Sequence, residues 1–234
     1  MIPAYLEAES LSALIPRIHE AASALTPAYE ILIVDTQRAK DDTQAIALAA
    51  GARHIFRLGG DQYGDAIRTG FAAARGRYLL CMDADGSHNP IYFASMWGKR
   101  NIWDITIGSR YVEGGHTENP KILIFMSWIL NITFRVIFKI KAKDVTNSFR
   151  LYRMDILRPI KLESNAFDII EELLIKAVNH RPPATVGEVP VTFEHRKAGE
   201  SKRNLVEFAF KYLSTLRRLR KFQQEAKLQS GSRS

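Results

Sequence analysis

The chain has 234 residues, of which 46% are apolar and 25% charged, so it can form one globular domain with a substantial core. Its single cysteine, Cys81, excludes an internal disulfide and fits a reducing cytoplasm. The longest uncharged apolar stretch, 122–134, has 13 residues, which we expect to be too short to span a bilayer. The formal net charge of +8 indicates an anionic partner, and nucleic acid, an anionic membrane or a phosphorylated substrate would each fit.

Short apolar runs alternate with amphipathic segments through the first half of the chain. The runs predict strands over 1–5, 29–35, 52–58 and 78–82. Helices are predicted between them over 7–25, 44–50 and 65–74, with Asp42 and Thr43 capping the second. This alternation indicates an α/β fold with a mostly parallel central sheet and helices on both faces.

The second half is less regular. It predicts a strand over 104–108, a helix over 167–178 and a strand over 186–193, in which Pro190 indicates a sheet edge. A basic and apolar helix is predicted over about 205–222, followed by a polar, flexible tail.

Residues 121–141 have a helical pattern that is unusually apolar. The charges in and just after this segment are all positive and lie toward its end: Arg135, Lys139, Lys141 and Lys143. Burial in the core explains the segment, and so does a helix lying in a membrane interface.

Two aspartates, Asp83 and Asp85, follow the apolar run that ends at Met82. If the strand conformation continues through them, both carboxylates leave one face at the carboxyl end of the strand, where open α/β sheets bind ligands. Two close carboxylates favour a hard cation such as Mg²⁺ or Mn²⁺ between them. A helix-capping aspartate followed by a solvated turn aspartate explains the pattern equally well.

Other polar residues lie at predicted strand ends and in the loops that follow. Asp35 is suited to bind a nucleotide base or ribose, and equally to cap a helix. The glycines at 59, 60 and 64 resemble a phosphate-binding loop only loosely, and the lack of a following Lys-Ser/Thr pair excludes a P-loop. Arg110, Arg196 and Lys202 are suited to bind phosphates, although each alone is typical of a solvated surface charge. The histidines show no zinc-ligand spacing.

Six short motifs follow one another along the chain. They are Ile-Pro-Ala-Tyr-Leu-Glu at 2–7, Ile-Val-Asp at 33–35 with Asp-Asp-Thr at 41–43, Asp-Ala-Asp-Gly-Ser-His-Asn-Pro at 83–90, Gly-Ser-Arg-Tyr-Val-Glu-Gly-Gly at 108–115, Asp-Val-Thr-Asn-Ser-Phe-Arg at 144–150, and the stretch from Glu188 to Lys202. In this order they resemble the family-2 glycosyltransferases of GT-A fold, and within them the polyprenyl-phosphate (dolichol-phosphate mannose synthase-like) branch. The resemblance covers 2–202, most of the chain.

The resemblance implies a GT-A fold and a metal-dependent, inverting transfer of a sugar from a nucleotide-sugar donor to a polyprenyl or dolichyl phosphate. Mannose from GDP-mannose is the donor it favours, with Mg²⁺ or Mn²⁺ as the cofactor. The acceptor phosphate is already an anion, so the reaction needs no strong general base. Alignment of the substrates and neutralisation of charge on the departing nucleotide are then sufficient.

The resemblance also implies residue roles. Pro3, Tyr5, Glu7 and Asp35 would line the nucleoside pocket, and Arg196 and Lys202 would hold the diphosphate. Asp83, Asp85 and Arg110 are the predicted catalytic residues: Asp83 contacts the nucleotide or the metal, Asp85 ligates the metal, and Arg110 holds the acceptor phosphate. Ser87 stands where some members carry a glutamine ligand, and its hydroxyl is a substitute.

Several residues depart from the family's pattern. Thr36 replaces a second aspartate, Leu6 an asparagine, Gln62 a glycine, and Ser148 the glycine before Phe-Arg. These changes leave open another donor such as a UDP-sugar, a non-phosphorylated acceptor, or a degenerate nucleotide- or membrane-binding homologue without activity. A nucleic-acid partner is the least favoured, because the basic residues alternate with apolar ones typical of membrane surfaces.

The predicted organisation is a GT-A catalytic domain over 1–203, a basic amphipathic helix over 204–222 and a flexible tail over 223–234. A candidate membrane-interface helix, 121–143, lies within the catalytic domain. This organisation predicts a peripheral protein on the cytoplasmic face of a membrane.

Overall fold

A mixed β-sheet between two layers of helices forms the centre of the protein. In this computed structural model, residues 1–180, 182–194, 212 and 214–224 are described. The strands are β1 (Ile2–Pro3), β2 (Leu32–Asp35), β3 (Arg53–Phe56), β4 (Tyr78–Cys81), β5 (Ile105–Ser109), β6 (His116–Thr117), β7 (Arg150–Arg153), β8 (Val186–Pro190) and β9 (Thr192–Phe193). The helices are α1 (Ala8–Ser23), α2 (Thr43–Ala49), α3 (Tyr63–Ala73), α4 (Phe93–Trp97), α5 (Lys121–Phe138), α6 (Met154–Leu157) and α7 (Ile169–Val178). Residues 214–224 are also helical.

The strands form three groups, of which the smallest is the parallel pair β6-β9 and the two larger ones are joined side by side by hydrogen bonds. One group has the order β1-β2-β3 and is parallel throughout. The other has the order β4-β7-β5-β8, in which β7 is antiparallel to both neighbours. The N-terminal amine of Met1 donates to the Leu80 carbonyl (2.7 Å), and the Met82 amide donates to the Met1 carbonyl (3.2 Å). The carboxyl ends of β1, β2, β4 and β5 therefore meet at the same edge.

The core lies on both faces of this sheet. Alternate residues of β2 point to opposite sides, because Leu32 and Val34 pack with α3, α5 and α7, whereas Ile33 packs with α1, α2 and α4. This arrangement confirms the predicted α/β class with helices on both faces.

Strand β7 was not predicted, because an arginine stands at each of its ends. Arg150 is nevertheless fully buried in the middle of the sheet. Its guanidinium donates to the backbone carbonyls of Asn147 (2.7 Å), Ile170 (3.0 Å) and Val145 (2.5 Å). A buried cation with so many carbonyl acceptors has its hydrogen-bonding capacity met without a carboxylate.

Two local predictions are wrong. The segment 186–193 is not one strand but β8 and β9, which join different sheets, although β8 does lie at a sheet edge as Pro190 indicated. Helix α2 is not capped by the side chain of Asp42 or Thr43. Asp41 accepts from the backbone amides of Thr43 (3.0 Å) and Ala8 (3.1 Å), so it ties the starts of α2 and α1 together.

Helix α5 exposes more apolar surface than an ordinary surface helix does. Its inner face carries the buried polar Asn131 beside Phe134 and Phe138. Its outer face exposes large apolar side chains: Ile122, Phe125, Trp128, Ile129 and Val136. The core position weighed for this segment is therefore wrong for most of its residues.

Helix α5 is also longer than the uncharged stretch within it. It has 18 residues and continues past Arg135 to Phe138. By length and composition alone it is the one helix of the described part of the chain that could cross a membrane, which corrects the expectation from 122–134. The same criteria are met by many helices of soluble proteins, and α5 is fixed to the domain by Asn131, Phe134 and Phe138 on its inner face.

Candidate active site

The predicted site residues lie along the sheet edge where β1, β2, β4 and β5 end. Asp35 is the last residue of β2, Asp83 and Asp85 follow β4, and Arg110 follows β5. The carboxyl ends of parallel strands in an open sheet form the usual ligand crevice of α/β proteins. This edge is therefore the candidate active site.

Strand β4 ends at Cys81, so the expected continuation of the strand through Asp85 is wrong. Residues 84–86 bend instead, and Gly86 has a positive φ of 79°. A glycine adopts that backbone conformation without the strain that a side chain would add. The alternative of a helix-capping aspartate is also wrong, because Asn89 caps the short 3₁₀ turn that follows.

Asp83 is held at three points from different parts of the chain. Its Oδ2 accepts a hydrogen bond from the Ser148 hydroxyl (3.0 Å), and its Oδ1 lies 3.5 Å from the Tyr63 hydroxyl. Its backbone amide donates to Nδ1 of His88 (3.0 Å). The Asp83 side chain is 22% exposed, so the carboxylate is fixed but still reachable from the crevice.

Asp85 is buried beside Ser87. Its Oδ1 accepts from the Ser87 amide (3.0 Å) and from the Ser87 hydroxyl (2.5 Å). Ser87 itself is fully buried, and its carbonyl accepts from the Glu194 amide (3.0 Å). The hydroxyl that was predicted as a metal ligand therefore orients the Asp85 carboxylate in this structure.

His88 has a structural part in the site that the sequence motif did not assign. Because Nδ1 accepts from the Asp83 amide, the proton lies on Nε2, which donates to Oδ1 of Asn147 (3.1 Å). Asn147 in turn donates to the Gly108 carbonyl (2.5 Å). Burial lowers the pKa of His88, which keeps the ring neutral and this hydrogen-bond pattern in place near neutral pH.

Arg110 forms a buried, two-pronged ion pair with Asp144. Its Nε and Nη2 donate to the two carboxylate oxygens at 2.8 and 2.7 Å, and its backbone amide donates at 2.9 Å. Burial acts to lower the pKa of Arg110, but the adjoining Asp144 carboxylate raises it overall. Nη2 also lies near the hydroxyls of Thr146 (3.1 Å) and Ser127 (3.4 Å). Asp144 thus fixes the cation that was predicted to hold the acceptor phosphate.

The predicted nucleoside residues lie together at the ends of β1 and β2. Pro3 pairs with Val34 in the parallel register, and Tyr5 is half-exposed with the Lys40 amine 4.7 Å from its ring centre. Glu7 accepts from the Ser10 hydroxyl (2.5 Å) at the start of α1.

Asp35 caps no helix, which excludes one of its two interpretations. It is buried, and its carboxylate accepts from the Thr36 amide (2.7 Å) and lies 3.2 Å from Nε2 of His54. The Thr36 hydroxyl donates to the Arg38 carbonyl (2.6 Å) and is fully buried. Thr36 therefore contributes to the turn after β2 rather than to the crevice.

Arg57 is a residue of this region that sequence reasoning missed. It is almost fully buried, and its guanidinium donates to the backbone carbonyls of Ala4 and Asp61. Burial lowers its pKa. The arginine connects the end of β1 to the loop that precedes α3, and its position just after β3 was the available signal.

The glycines of that loop serve packing rather than a phosphate cradle. A Cβ on Gly60 would lie 2.5 Å from a carboxylate oxygen of Asp65, and one on Gly64 would collide with the backbone of Ser164 and Asn165. Asp65, in the first turn of α3, accepts from the amide of the N-cap residue Gln62 (3.0 Å). The loose resemblance to a phosphate loop is therefore better explained by close backbone approach.

The oxygen atoms near Asp83 and Asp85 fit a hard divalent cation that takes few protein ligands. Among the described residues, no group of three or more His, Cys, Asp or Glu side chains is placed to hold a metal ion. Mg²⁺ is typically held by one or two carboxylates, with water and substrate phosphates completing its coordination. The two predicted diphosphate ligands, Arg196 and Lys202, lie outside the described residues.

Comparison with known proteins defines the class to which this fold and site belong. Residues 1–160 match the family described as glycosyl transferase family 2. Relatives of known name match over still more of the chain. The chain belongs to glycosyl transferase family 2.

Three relatives extend the likeness. A dolichol-phosphate mannosyltransferase of Pyrococcus furiosus is 34% identical over 96% of this chain, which spans 64% of that relative's length. An undecaprenyl-phosphate mannosyltransferase of Micrococcus luteus is 33% identical over 86% of the chain and 85% of its own length. A polyprenol monophosphomannose synthase of Mycolicibacterium smegmatis is 34% identical over 86% of the chain and 79% of its own length.

Solved structures show the same fold. Glucosyl-3-phosphoglycerate synthase of Mycobacterium tuberculosis, solved with Mn²⁺ and uridine diphosphate, superposes with a TM-score of 0.70 over 93% of this chain and 77% of that one. The structure of the same enzyme with Mg²⁺ and uridine diphosphate gives a TM-score of 0.69. At 17% identity the likeness concerns the fold, and it confirms the GT-A type.

Proposed function

We propose that this protein transfers a sugar, mannose from GDP-mannose, onto a polyprenyl or dolichyl phosphate with inversion at the anomeric carbon. The observation that carries the proposal is the coincidence of two findings. Among the described residues, the site positions of the motifs lie along one sheet edge, and the relatives that match 86% of the chain or more are named for mannosyl transfer to a polyprenol or dolichol phosphate. The donor and the stereochemistry are our inference.

The nucleotide would bind across the ends of β1, β2 and β4. Asp35 is preorganised by the Thr36 amide and His54 to accept hydrogen bonds from the base or ribose, and the half-exposed Tyr5 offers a ring for the base. Asp83 and Asp85 supply carboxylate oxygens for a Mg²⁺ or Mn²⁺ ion that would neutralise charge on the departing nucleoside diphosphate. Arg196 and Lys202 would contact the same diphosphate.

The acceptor phosphate would bind near Arg110. Asp144 uses Nε and Nη2 of that guanidinium, which holds its plane in one orientation at the end of β5. An acceptor phosphate is already ionised, so the chain need only align it with the anomeric carbon on the face opposite the leaving group. Inversion follows from a single displacement with that geometry.

We propose a membrane surface as the place of reaction, with the protein peripheral on its cytoplasmic face. The apolar outer face of α5 and the basic residues at its end suit the interface of an anionic bilayer. The inner face of α5 packs on the catalytic domain through Asn131, Phe134 and Phe138, which supports a position parallel to the surface rather than across it. Asn131 accepts from the amides of Val145 (2.6 Å) and Thr146 (3.2 Å), which ties the helix to the catalytic domain.

The experiment is a donor and acceptor panel with the purified protein. GDP-mannose, UDP-glucose and other nucleotide sugars are incubated with polyprenyl phosphate, a free polyprenol or a glycolipid, in the presence of Mn²⁺ or Mg²⁺. We expect a polyprenyl-phosphate mannose product that is lost with chelator and with Asp85→Ala. The anomeric configuration of the product tests inversion.

Three results would redirect the proposal. A product from a UDP-sugar alone would replace the donor, and a preference for non-phosphorylated acceptors would replace the acceptor. No product with any pair, and no metal-dependent GDP or UDP binding, would identify a degenerate homologue. In that case Asp85→Ala would change neither nucleotide binding nor metal binding.

A further inference from the structure

We propose that Ser148 is a positioning residue that fixes the Asp83 carboxylate for the nucleotide and its metal ion. The inference rests on the proposed function, since it concerns how that site is organised. Ser148 stands where the pattern of the family implies a glycine, and the substitution on its own suggested a weakened site. The contacts of its hydroxyl indicate the opposite.

The position does not require a glycine. Ser148 is not among the residues with a positive φ, which in the described chain are Leu6, Lys139 and four glycines. It lies in the segment between Asp144 and β7, and its residue surface is 9% exposed. A serine there adds a hydroxyl without backbone strain.

That hydroxyl contacts the site carboxylate. It donates to Oδ2 of Asp83 at 3.0 Å, and the Tyr63 hydroxyl lies 3.5 Å from Oδ1. Tyr63 is itself held by stacking on Phe167, with ring centres 4.3 Å apart. A carboxylate has about four acceptor positions, so two hydroxyls restrain it and leave capacity for a ligand.

The restraint arises from parts of the chain far apart in sequence. Ser148 comes from the segment before β7 and Tyr63 from α3, while His88 holds the Asp83 backbone. Without Ser148, Oδ2 would keep no protein hydrogen-bond donor that the structure records, and the carboxylate could rotate about its side-chain bonds. Preorganised ligands bind more tightly because less ordering remains to be done on binding.

The test measures binding rather than turnover. GDP, and separately UDP, is titrated calorimetrically into the full chain with and without Mn²⁺, for wild type, Ser148→Ala, Ser148→Thr and Tyr63→Phe. We expect Ser148→Ala to weaken Mn²⁺-dependent binding about tenfold, because a hydrogen bond to a charged group is lost. Tyr63→Phe should weaken it about threefold, since its contact is longer. Metal-free nucleotide binding should not change.

Two controls separate positioning from general damage. Ser148→Thr keeps the hydroxyl and should restore most of the affinity. Ser95→Ala removes an exposed hydroxyl of α4 that donates to the Tyr92 carbonyl (2.8 Å), and should have no effect. In the Asp83→Ala background, Ser148→Ala should add no further loss, because its partner is gone.

The outcomes are distinguishable. The positioning role is overturned if the wild type and Ser148→Ala bind Mn²⁺-nucleotide equally well. It is also overturned if Ser148→Ala weakens this binding as much in the Asp83→Ala background as in the wild type. In both cases the proposed function stands. If the wild type binds neither nucleotide with any divalent cation, the proposed function fails and the inference with it. Thermal unfolding of each variant is recorded alongside, and if Ser148→Ala does not fold, Ser148→Gly, which also removes the hydroxyl, is measured in its place.

Discussion

The buried pair of Arg110 and Asp144 makes the sharpest prediction about stability. The Asp144 side chain is 0% exposed and that of Arg110 is 9% exposed, so removing the carboxylate leaves a cation with little access to water. Unit charges about 4 Å apart interact by about 4 kcal/mol at an effective dielectric constant of about 20. Breaking a buried pair by deleting one partner typically costs about 3–5 kcal/mol. We therefore expect Asp144→Ala to lower the free energy of unfolding by that amount.

The assay is urea unfolding followed by circular dichroism, with the slope m checked for constancy. Asp155→Ala is the matched control, because Asp155 pairs with Arg153 at 2.9 Å but its side chain is 67% exposed. Its cost should be about 1 kcal/mol or less. Asp144→Asn, which keeps an acceptor oxygen without the charge, should fall between the two. Equal costs for Asp144→Ala and Asp155→Ala would refute the assignment of a desolvated pair.

Three further predictions concern other parts of the chain. Burial raises the pKa of Glu171 to about 8 from an ordinary 4.5, so the folded state binds a proton that the unfolded state releases. The free energy of unfolding should therefore fall by a few kcal/mol as the pH rises from about 4.5 to about 8. Glu171→Gln should flatten this pH dependence in unfolding curves, and an unchanged slope would contradict the prediction. The double variant Phe125→Ser, Trp128→Ser should reduce sedimentation with anionic vesicles without lowering the melting temperature, because both side chains are exposed. Phe134→Ala, at a fully buried site of the same helix, should lower the free energy of unfolding by about 3–5 kcal/mol. A loss of stability in the double variant would count against the exposure of the outer face. Leu6 has a left-handed φ of 58° and is half-exposed. Because asparagine adopts this backbone conformation more readily than leucine, Leu6→Asn should raise the free energy of unfolding by about 0.5–1 kcal/mol in the same urea assay. A lower free energy of unfolding would contradict the prediction.

The sheet edge was predictable because its signals are local. The run from Tyr78 to Met82 is apolar and bounded by glycines, and the polar residues after it had to follow a buried strand. The same reasoning placed Asp35 after β2 and Arg110 after β5. Parallel strands then bring these three positions to one edge, whatever the details of the loops.

The contacts within the site were not predictable, because they join residues far apart in sequence. Asp144 lies 34 residues after Arg110, and Ser148 lies 65 residues after Asp83. No periodicity or spacing encodes such pairs. The bend at 84–86 was missed for a related reason, since whether a strand continues past its last apolar residue depends on the segment that packs beside it.

Strand β7 and helix α5 were misjudged because each breaks the rule that burial follows hydrophobicity. Arg150 is buried because backbone carbonyls surround its guanidinium, and Asn131 is buried because it binds the amides of 145 and 146. A pattern of apolar residues assigns both to the surface. Only the three-dimensional arrangement of hydrogen-bond partners reverses that assignment.

The exposed apolar face of α5 also affects how we expect the protein to behave in solution. The hydrogen bonds of Asn131 and the packing of Phe134 and Phe138 hold the helix on the domain, while the outer apolar stripe stays uncovered. A stripe of this kind lowers colloidal stability, because two molecules can cover it for each other. We expect the purified protein to associate with increasing concentration in plain buffer, and to become monodisperse when a mild detergent or a lipid nanodisc occupies the stripe.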